Sequence, residues 1–183
     1  GSIAALNYAY LLMQFPQSLI GTAIAFAVFP TLARLAAQGE TAQLRGLFYR
    51  SLLVIVTLAT AAAILFVLFA RPIVQILFQR GAFGAGSVDA VTYALQFYAL
   101  AIIGESALEV CARIFYAQHD AKTPMLVALT ALGVNVVLSI SLLGPLGTGG
   151  LALARAAALT WEAGLLLYIA HNRWLRLVWA RDL

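Results

Sequence analysis

Three ionisable residues recur at four-residue intervals within an otherwise apolar stretch of the sequence: Glu105, Glu109 and Arg113. On an α-helix, residues four positions apart lie on the same face, so these side chains can act together. Arg155 and Glu162 lie in a second apolar stretch, seven residues apart, and also share a helix face. Carboxylates and guanidiniums placed in this way can bind the charged part of a ligand, titrate with an ion, or pair with one another.

These charges are costly if the apolar stretches span a membrane, where an ionisable group has to face a cavity or a partner. We therefore predict a cavity between helices that is lined by Glu105, Glu109, Arg113, Arg155 and Glu162. Within it, Glu105 or Glu109 can meet Arg155. A structural role remains open, because Glu109 and Arg113 can pair along one helix while Arg113 extends towards the interface. Arg155 and Glu162 can likewise serve only to join helices.

The elements that must hold these charges are predicted from the composition. The sequence has 183 residues, of which 63% are hydrophobic and only 10% are charged. A water-exposed surface needs roughly a quarter or more of charged residues, which excludes a soluble domain. Because a bilayer core takes about 20 apolar residues per helix, we expect an all-α, polytopic transmembrane bundle with about five spans.

Five segments within this single bundle of residues 1–183 are predicted to cross the membrane: 3–34, 51–70, 91–117, 124–144 and 149–171. The first is too long for one straight crossing, and Pro16 predicts a kink or break near residues 14–17. Residues 71–89 combine polar positions with an apolar side, which predicts a short interfacial helix ending at Gly81.

The loops between these segments differ in charge. One side of the membrane would carry seven basic residues, Arg34, Arg45, Arg50, Lys122, Arg173, Arg176 and Arg181, and the other side only Arg71 and Arg80. The positive-inside rule places the more basic side in the cytoplasm. Topology therefore accounts for the net charge of +4, and we expect no nucleic-acid partner.

The sequence contains few groups suited to catalysis or metal binding. Cys111 is the only cysteine, which excludes an internal disulfide and a cysteine-based metal cluster. No segment matches a nucleophile with its base, a phosphate-binding loop or a zinc-binding helix. We therefore expect no enzymatic activity, no metal site and no cofactor, while the identity of any coupling ion stays open.

Three segments go beyond generic membrane helices. In chain order they are GSIAALNYAYLLMQFPQSLIGTAIAFAVFPTLARLAAQGE (1–40), PIVQILFQRGAF (72–83) and EVCARIFYAQHDAKTP (109–124). This combination resembles the MurJ (MviN) family of lipid II flippases, within the multidrug/oligosaccharidyl-lipid/polysaccharide exporter superfamily. The residues that match its motifs include Pro16, Gly21 and Pro30 in a kinked helix, Gly81 and Phe83 in an outer hairpin, and Asp120 and Pro124 at an inner loop.

The resemblance implies a fold in which two helical lobes face each other across a central cavity. This chain would form most of the second lobe, and its partner would be the missing N-terminal lobe of the same protein. The implied function is transfer of lipid II, the lipid-linked peptidoglycan precursor used for the cell wall, across the bacterial cytoplasmic (inner) membrane. The lobes would alternate between inward and outward openings while the tail of the cargo stays in the membrane lipid.

One position departs from the family pattern. Many members place an arginine that faces the cavity after residues 7–10, where this sequence has Leu11. An anionic pyrophosphate favours a cation, so Arg155 or arginines of the other lobe would have to supply it. Two alternatives therefore stay open: export of another lipid-linked glycan or a drug, driven by ions that titrate Glu105 or Glu109, and a non-transporting membrane scaffold.

Overall fold

The computed structural model describes residues 2–78 and 84–175, and this part of the chain is helical apart from short turns. No strand occurs in these two ranges, which confirms the prediction of an all-α fold. The elements are α1 (Ser2–Gln17), a first π-helical segment (Ser18–Thr22), α2 (Ala23–Gln38), α3 (Thr41–Phe78), α4 (Ala85–Ala117), α5 (Lys122–Ala170) and a second π-helical segment (His171–Leu175).

The exterior of the bundle is apolar. Among the described residues, four helices are long and apolar enough to cross a membrane: Ala4–Gln38, Thr41–Phe78, Ala85–Ala117 and Lys122–Leu175. Large apolar side chains of α3 point away from the protein, and Leu53, Leu68 and Ile76 are 69%, 68% and 72% exposed. Such a surface is stable against lipid but not against water. The chain is therefore a multi-pass helical membrane bundle.

Helix α5 is a hairpin with its turn at Gly147, whose φ of 54° and ψ of −129° are not helical. Glycine tolerates this positive φ because it has no Cβ. Beyond the turn, Gly150 packs directly on the backbone of Leu142, and Trp161 Nε1 donates to Thr130 Oγ1 over 3.3 Å. The first arm (122–146) and second arm (148–170) are therefore antiparallel. The predicted spans 124–144 and 149–171 fall on these arms, and their membrane boundaries stay a prediction.

The structure has no break near residues 14–17, where Pro16 predicted a kink or break. Pro16 lies in the last turn of α1, and the helix continues through it into the π-helical segment Ser18–Thr22. There the N–H of Ala23 donates to the carbonyl of Ser18, five residues earlier. A proline removes one α-helical hydrogen bond, and a wider turn is one way in which a helix absorbs that loss without breaking. Pro30 is likewise accommodated inside α2.

The separate interfacial helix predicted within residues 71–89 is wrong. Helix α3 continues through Pro72 to Phe78, because Ala70 and Val74 both pack fully into the same core. Across the following connection, Arg71 forms an ion pair with Asp89 over 3.2 Å. Gly81 and Phe83, two of the motif residues, lie outside the described residues.

Helix α4 occupies the centre of the described bundle. Half of its membrane-crossing window is buried, against 22% or less for the other three helices. Two apolar clusters pack along it, one around residues 88–102 of α4 and the other around residues 110–117. The polar residues Glu105 and Glu109 fall between these clusters, so the core is interrupted at one level of the bundle.

Candidate cavity-lining site

Two glycines bring the neighbouring helices close to α4 at residues 104–106. A Cβ on Gly104 would lie 2.9 Å from the backbone nitrogen of Thr160 in the second arm of α5. A Cβ on Gly21, in the first π-helical segment, would lie 3.0 Å from the Cα of Ser106. The first distance is too short for a Cβ, and the second leaves room for one only if the neighbouring backbone shifts, so glycine favours both approaches. The motif residue Gly21 is therefore a packing residue that holds its segment against α4.

Glu105 and Arg155 join α4 to the second arm of α5. Arg155 Nη2 donates to Glu105 Oε1 over 3.4 Å. The Arg155 guanidinium also lies over the ring of Tyr10 in α1, 5.0 Å from its centroid. Of the two glutamates considered from the sequence, it is thus Glu105 that meets Arg155. This contact gathers side chains from three separate helices around one guanidinium.

Glu109 and Arg113 form the second ion pair along α4, with Arg113 Nη2 3.1 Å from Glu109 Oε2. This is the pairing along one helix that the four-residue spacing allows. The Arg113 guanidinium also lies over the ring of Phe26, 4.4 Å from its centroid, which ties α4 to α2. The Arg113 side chain is only 17% exposed, so it is held inside the bundle and does not extend into solvent.

Several atoms of these pairs are buried without a hydrogen-bond partner among the described residues: Glu105 Oε2, Arg113 Nε and Arg155 Nε. Ser106 Oγ, next to Glu105, is in the same state. Buried polar atoms in folded proteins nearly always have a partner, because an unmade hydrogen bond is costly. The two pairs therefore keep unused donors and an unused acceptor with which a polar ligand can interact.

Two cavities connect these charges. A cavity of about 450 Å³ is lined by Glu109, Arg113 and Glu162, and Pro124 also lies in its wall. A second cavity of about 250 Å³, between the two arms of α5, is lined by Arg155, Glu162 and Asn135. Glu162 therefore faces both. Glu105 lines neither cavity but adjoins the second one through Arg155.

Four charged residues of the described part of the chain line these cavities, and a fifth, Glu105, pairs with one of them. We call these five residues the cavity-wall charges: Glu105, Glu109, Arg113, Arg155 and Glu162. A larger cavity of about 720 Å³ lies along the second arm of α5 and carries no charged residue; Leu100, Leu153 and Tyr168 contribute to its wall. It could hold an apolar chain but not an anionic group. Of these three cavities, the two smaller ones have the chemistry to hold the charged part of a ligand.

A different charge cluster, which we call the end clasp, lies at the helix ends and consists of Asp120, Thr123 and Arg173. Asp120 accepts hydrogen bonds from the Thr123 backbone N–H over 3.0 Å and from its hydroxyl over 2.6 Å. Arg173 Nη1 lies 2.8 Å from Asp120 Oδ2. The hydrogen bonds from Thr123, assisted by the charge of Arg173, lower the pKa of Asp120 below its ordinary value. The motif residue Asp120 thus caps α5 and takes no part in the cavity.

Sequence reasoning missed three residues that shape the site: Tyr10, Phe26 and Gly104. The ring of Tyr10 packs between Arg155 and Tyr98, and an aromatic residue in an apolar segment does not by itself indicate such contacts. Gly104 offered a signal, because it directly precedes Glu105 in an apolar segment. Phe26 offered none, since only the folded contact distinguishes it from its apolar neighbours.

Leu11, where the family pattern has an arginine, follows Tyr10 directly and is 58% exposed. Arg155 contacts the residue that precedes Leu11 in α1, since its guanidinium lies over the Tyr10 ring. A cation is therefore present near the departing position, although it comes from a different helix.

Comparison with solved structures supports the fold. A structure described as lipid II flippase MurJ in an inward closed conformation superposes with a TM-score of 0.84 at 21% sequence identity. The match covers 93% of this chain and 36% of that chain. At this level of identity the likeness shows that the two share a fold.

Similarity in sequence extends over nearly the whole chain. The family described as lipid II flippase MurJ matches residues 1–180. The probable lipid II flippase MurJ of Rhizobium tropici is 33% identical over 98% of this chain and 33% of its own length. The probable lipid II flippase MurJ of Rhizobium meliloti (strain 1021) is 34% identical over 100% of this chain and 34% of its own length. The chain therefore spans about a third of the length of these relatives. The chain therefore belongs to the MurJ family of lipid II flippases.

Proposed function

We propose that the full-length protein containing this chain is a transporter that moves lipid II across the bacterial cytoplasmic membrane and catalyses no chemical conversion. In this proposal the chain forms most of one lobe, and a second lobe closes the other side of the cavity. The observation that carries the proposal is the Glu105–Arg155 pair, whose arginine lines a cavity at membrane depth in a chain of this family.

The cargo has two parts with opposite demands. Its pyrophosphate and sugars need polar partners inside the membrane, whereas its lipid tail is stable in the bilayer. A guanidinium suits the polar part, because it presents a planar set of donors that matches phosphate oxygens. Arg155 keeps its Nε unpartnered among the described residues, so it can bind a phosphate oxygen before it releases Glu105.

Arg155 supplies the cation that is missing at the position of Leu11. Its guanidinium is held in place by Glu105 on one side and by the Tyr10 ring on the other. An anionic group that arrives at this wall replaces Glu105 as the partner of the guanidinium, so the guanidinium is never left unpaired.

The departure at Leu11 favours a second candidate, export of another lipid-linked glycan. Both functions need a polar wall and a lipid-facing exterior, so they differ in the polar head of the cargo. Transport of lipid II by the purified full-length protein distinguishes them directly.

The test is to express the full-length protein in bacteria depleted of their own lipid II flippase. We expect growth to be restored and lipid II to become accessible on the outer face of the membrane. The full-length variant Arg173→Gln, altered in the end clasp, serves as a matched control and should also restore growth. Failure of both proteins, at membrane levels equal to those of a working flippase, would contradict the proposed function.

A further inference from the structure

The cavity-wall charges do not balance. Each guanidinium already has a carboxylate partner, since Arg155 pairs with Glu105 and Arg113 pairs with Glu109. Glu162 has neither a hydrogen bond nor an ion pair with any other described residue. Three carboxylates face two guanidiniums, so the fully ionised wall carries one uncompensated negative charge, and that charge belongs to Glu162.

The position of Glu162 exposes it to both cavities. In the larger of the two it faces Glu109, Arg113 and Tyr116 of α4, and in the smaller it faces Arg155 on its own arm. The first arm of α5 contributes no charged side chain to either cavity, and Asn135 is its polar residue there. The nearby cations are thus engaged elsewhere, and among the described residues no other element that lines these cavities offers Glu162 a counter-charge.

An unpaired carboxylate at membrane depth is stabilised when it takes up a proton. An anionic cargo at Arg155 strengthens that preference, because like charges disfavour the ionised carboxyl. We infer that Glu162 binds a proton from cavity water when anionic cargo binds, and that this proton is required for tight binding. The proton adds to one carboxylate oxygen and returns to water when the cargo leaves. This inference rests on the proposed function, and it describes how protonation of Glu162 regulates cargo binding at the same cavity wall.

Histidine is the side chain that most often gives proteins a pH dependence near neutrality, so the two histidines of the sequence have to be separated from this effect. His119 lies in the turn that connects α4 to α5. His171 Nδ1 lies 2.9 Å from the Tyr49 hydroxyl at the end of α5. Neither lines a cavity that contains the cavity-wall charges, so both provide controls.

The test is the affinity of the purified full-length protein, in lipid nanodiscs, for lipid II across a range from about pH 5 to about pH 8. Because proton and cargo binding are reciprocally linked, we expect the affinity of the unaltered protein to fall with rising pH, by at most about tenfold per unit for one proton. Glu162→Gln should remove this dependence, and Glu162→Asp should retain it. His119→Gln and His171→Gln should also retain it. An unchanged slope in Glu162→Gln would overturn the inference.

A second readout follows the carboxyl itself and not the affinity. Infrared difference spectra between the lipid II-bound and the free full-length protein should contain a protonated-carboxyl band that is lost in Glu162→Gln. Absence of that band from the unaltered protein would overturn the inference even if lipid II binds. Absence of lipid II binding at every pH would instead contradict the proposed function.

Discussion

The cavity-wall charges and the end clasp both join helices through arginine–carboxylate pairs, yet they differ in how completely these pairs are satisfied. In the clasp, Asp120 accepts three hydrogen bonds from Thr123 and Arg173, and Arg173 also reaches the Thr123 hydroxyl. In the cavity wall, Glu105 and Arg155 share one contact and each keeps a buried atom without a partner among the described residues. The end clasp, which makes more of its possible hydrogen bonds, lies at the helix ends. A polar group without a partner would cost less free energy there than at membrane depth.

This difference separates stability from function. Full hydrogen bonding at the helix ends fixes the start of α5 against the segment that follows it. Incomplete hydrogen bonding at membrane depth is costly, which supports the proposal that these groups interact with something besides the bundle itself. Changes in the cavity wall should therefore affect transport more than folding, and changes in the clasp should do the reverse.

The largest effect is expected from Arg155→Ala. Removing this guanidinium takes away the cation that the cargo needs and leaves Glu105 unpaired, so lipid II movement should fall about tenfold or more. The measurement is transport by the full-length protein at matched membrane levels. Arg155→Lys keeps the charge without the planar donors and should give an intermediate rate.

A compensating change tests the same point more strictly. If Arg155 replaces the cation missing at Leu11, then adding Leu11→Arg to the Arg155→Ala protein should restore part of its transport. Equal transport by Arg155→Ala and the unaltered protein would show that Arg155 does not carry this function.

Gly104→Ala should destabilise the bundle that holds the cavity wall. The new Cβ would lie 2.9 Å from the Thr160 backbone, so the helices must separate, at a cost of about 1–3 kcal/mol. Gly133 lies in the first arm of α5 with open space around it. Gly133→Ala is therefore the matched control and should be neutral or stabilising by about 0.5–1 kcal/mol. Thermal unfolding of the full-length protein compares them, and equal stability losses would contradict the close approach.

Asp120→Ala should lower stability by about 1 kcal/mol, because α5 loses its capping side chain. The pKa of Asp120 is lowered in the folded protein, so its contribution is present at neutral pH and is lost as the pH falls through this lowered pKa. Unfolding measured at both ends of this range should show the variant and the unaltered protein converging in acid. A constant difference across the range would argue against the ionised cap.

The smallest effect is expected from Arg173→Gln. The Arg173 side chain is 52% exposed, and exposed ion pairs contribute about 0.2–1 kcal/mol. The loss should shrink as salt is added, because mobile ions screen the pair. Denaturant unfolding at low and high salt measures this loss in the free energy of unfolding. A loss as large as that of Gly104→Ala would contradict the assignment of Arg173 to a weak, exposed ion pair.

The sequence predicted these features unevenly. Four-residue spacing was enough to predict the Glu109–Arg113 pair, because both partners lie on one helix. For Arg155, the sequence left two glutamates as possible partners. The structure selects Glu105, the residue next to Gly104, where α4 packs closely against Thr160. Local patterns describe one helix at a time, whereas contacts between helices depend on where their backbones come close.

Proline positions illustrate the same limit in the backbone. Pro16 predicted a kink or break, and residues 71–89 predicted a separate helix, yet α1 continues into a π-helical segment and α3 runs through Pro72 to Phe78. A membrane bundle tolerates prolines inside helices when neighbouring packing compensates for the lost hydrogen bond. The contacts of Ala70 and Val74 with the core provide that packing for α3.

The central claim is that the cavity-wall charges serve transport more than stability, and the double variant Glu105→Gln/Arg155→Gln tests it most directly. Removing both charges leaves no unpaired ion at this contact, so the full-length protein should fold at close to normal levels. We predict that it will nevertheless fail to move lipid II in proteoliposomes. Transport at the rate of the unaltered protein would contradict the claim.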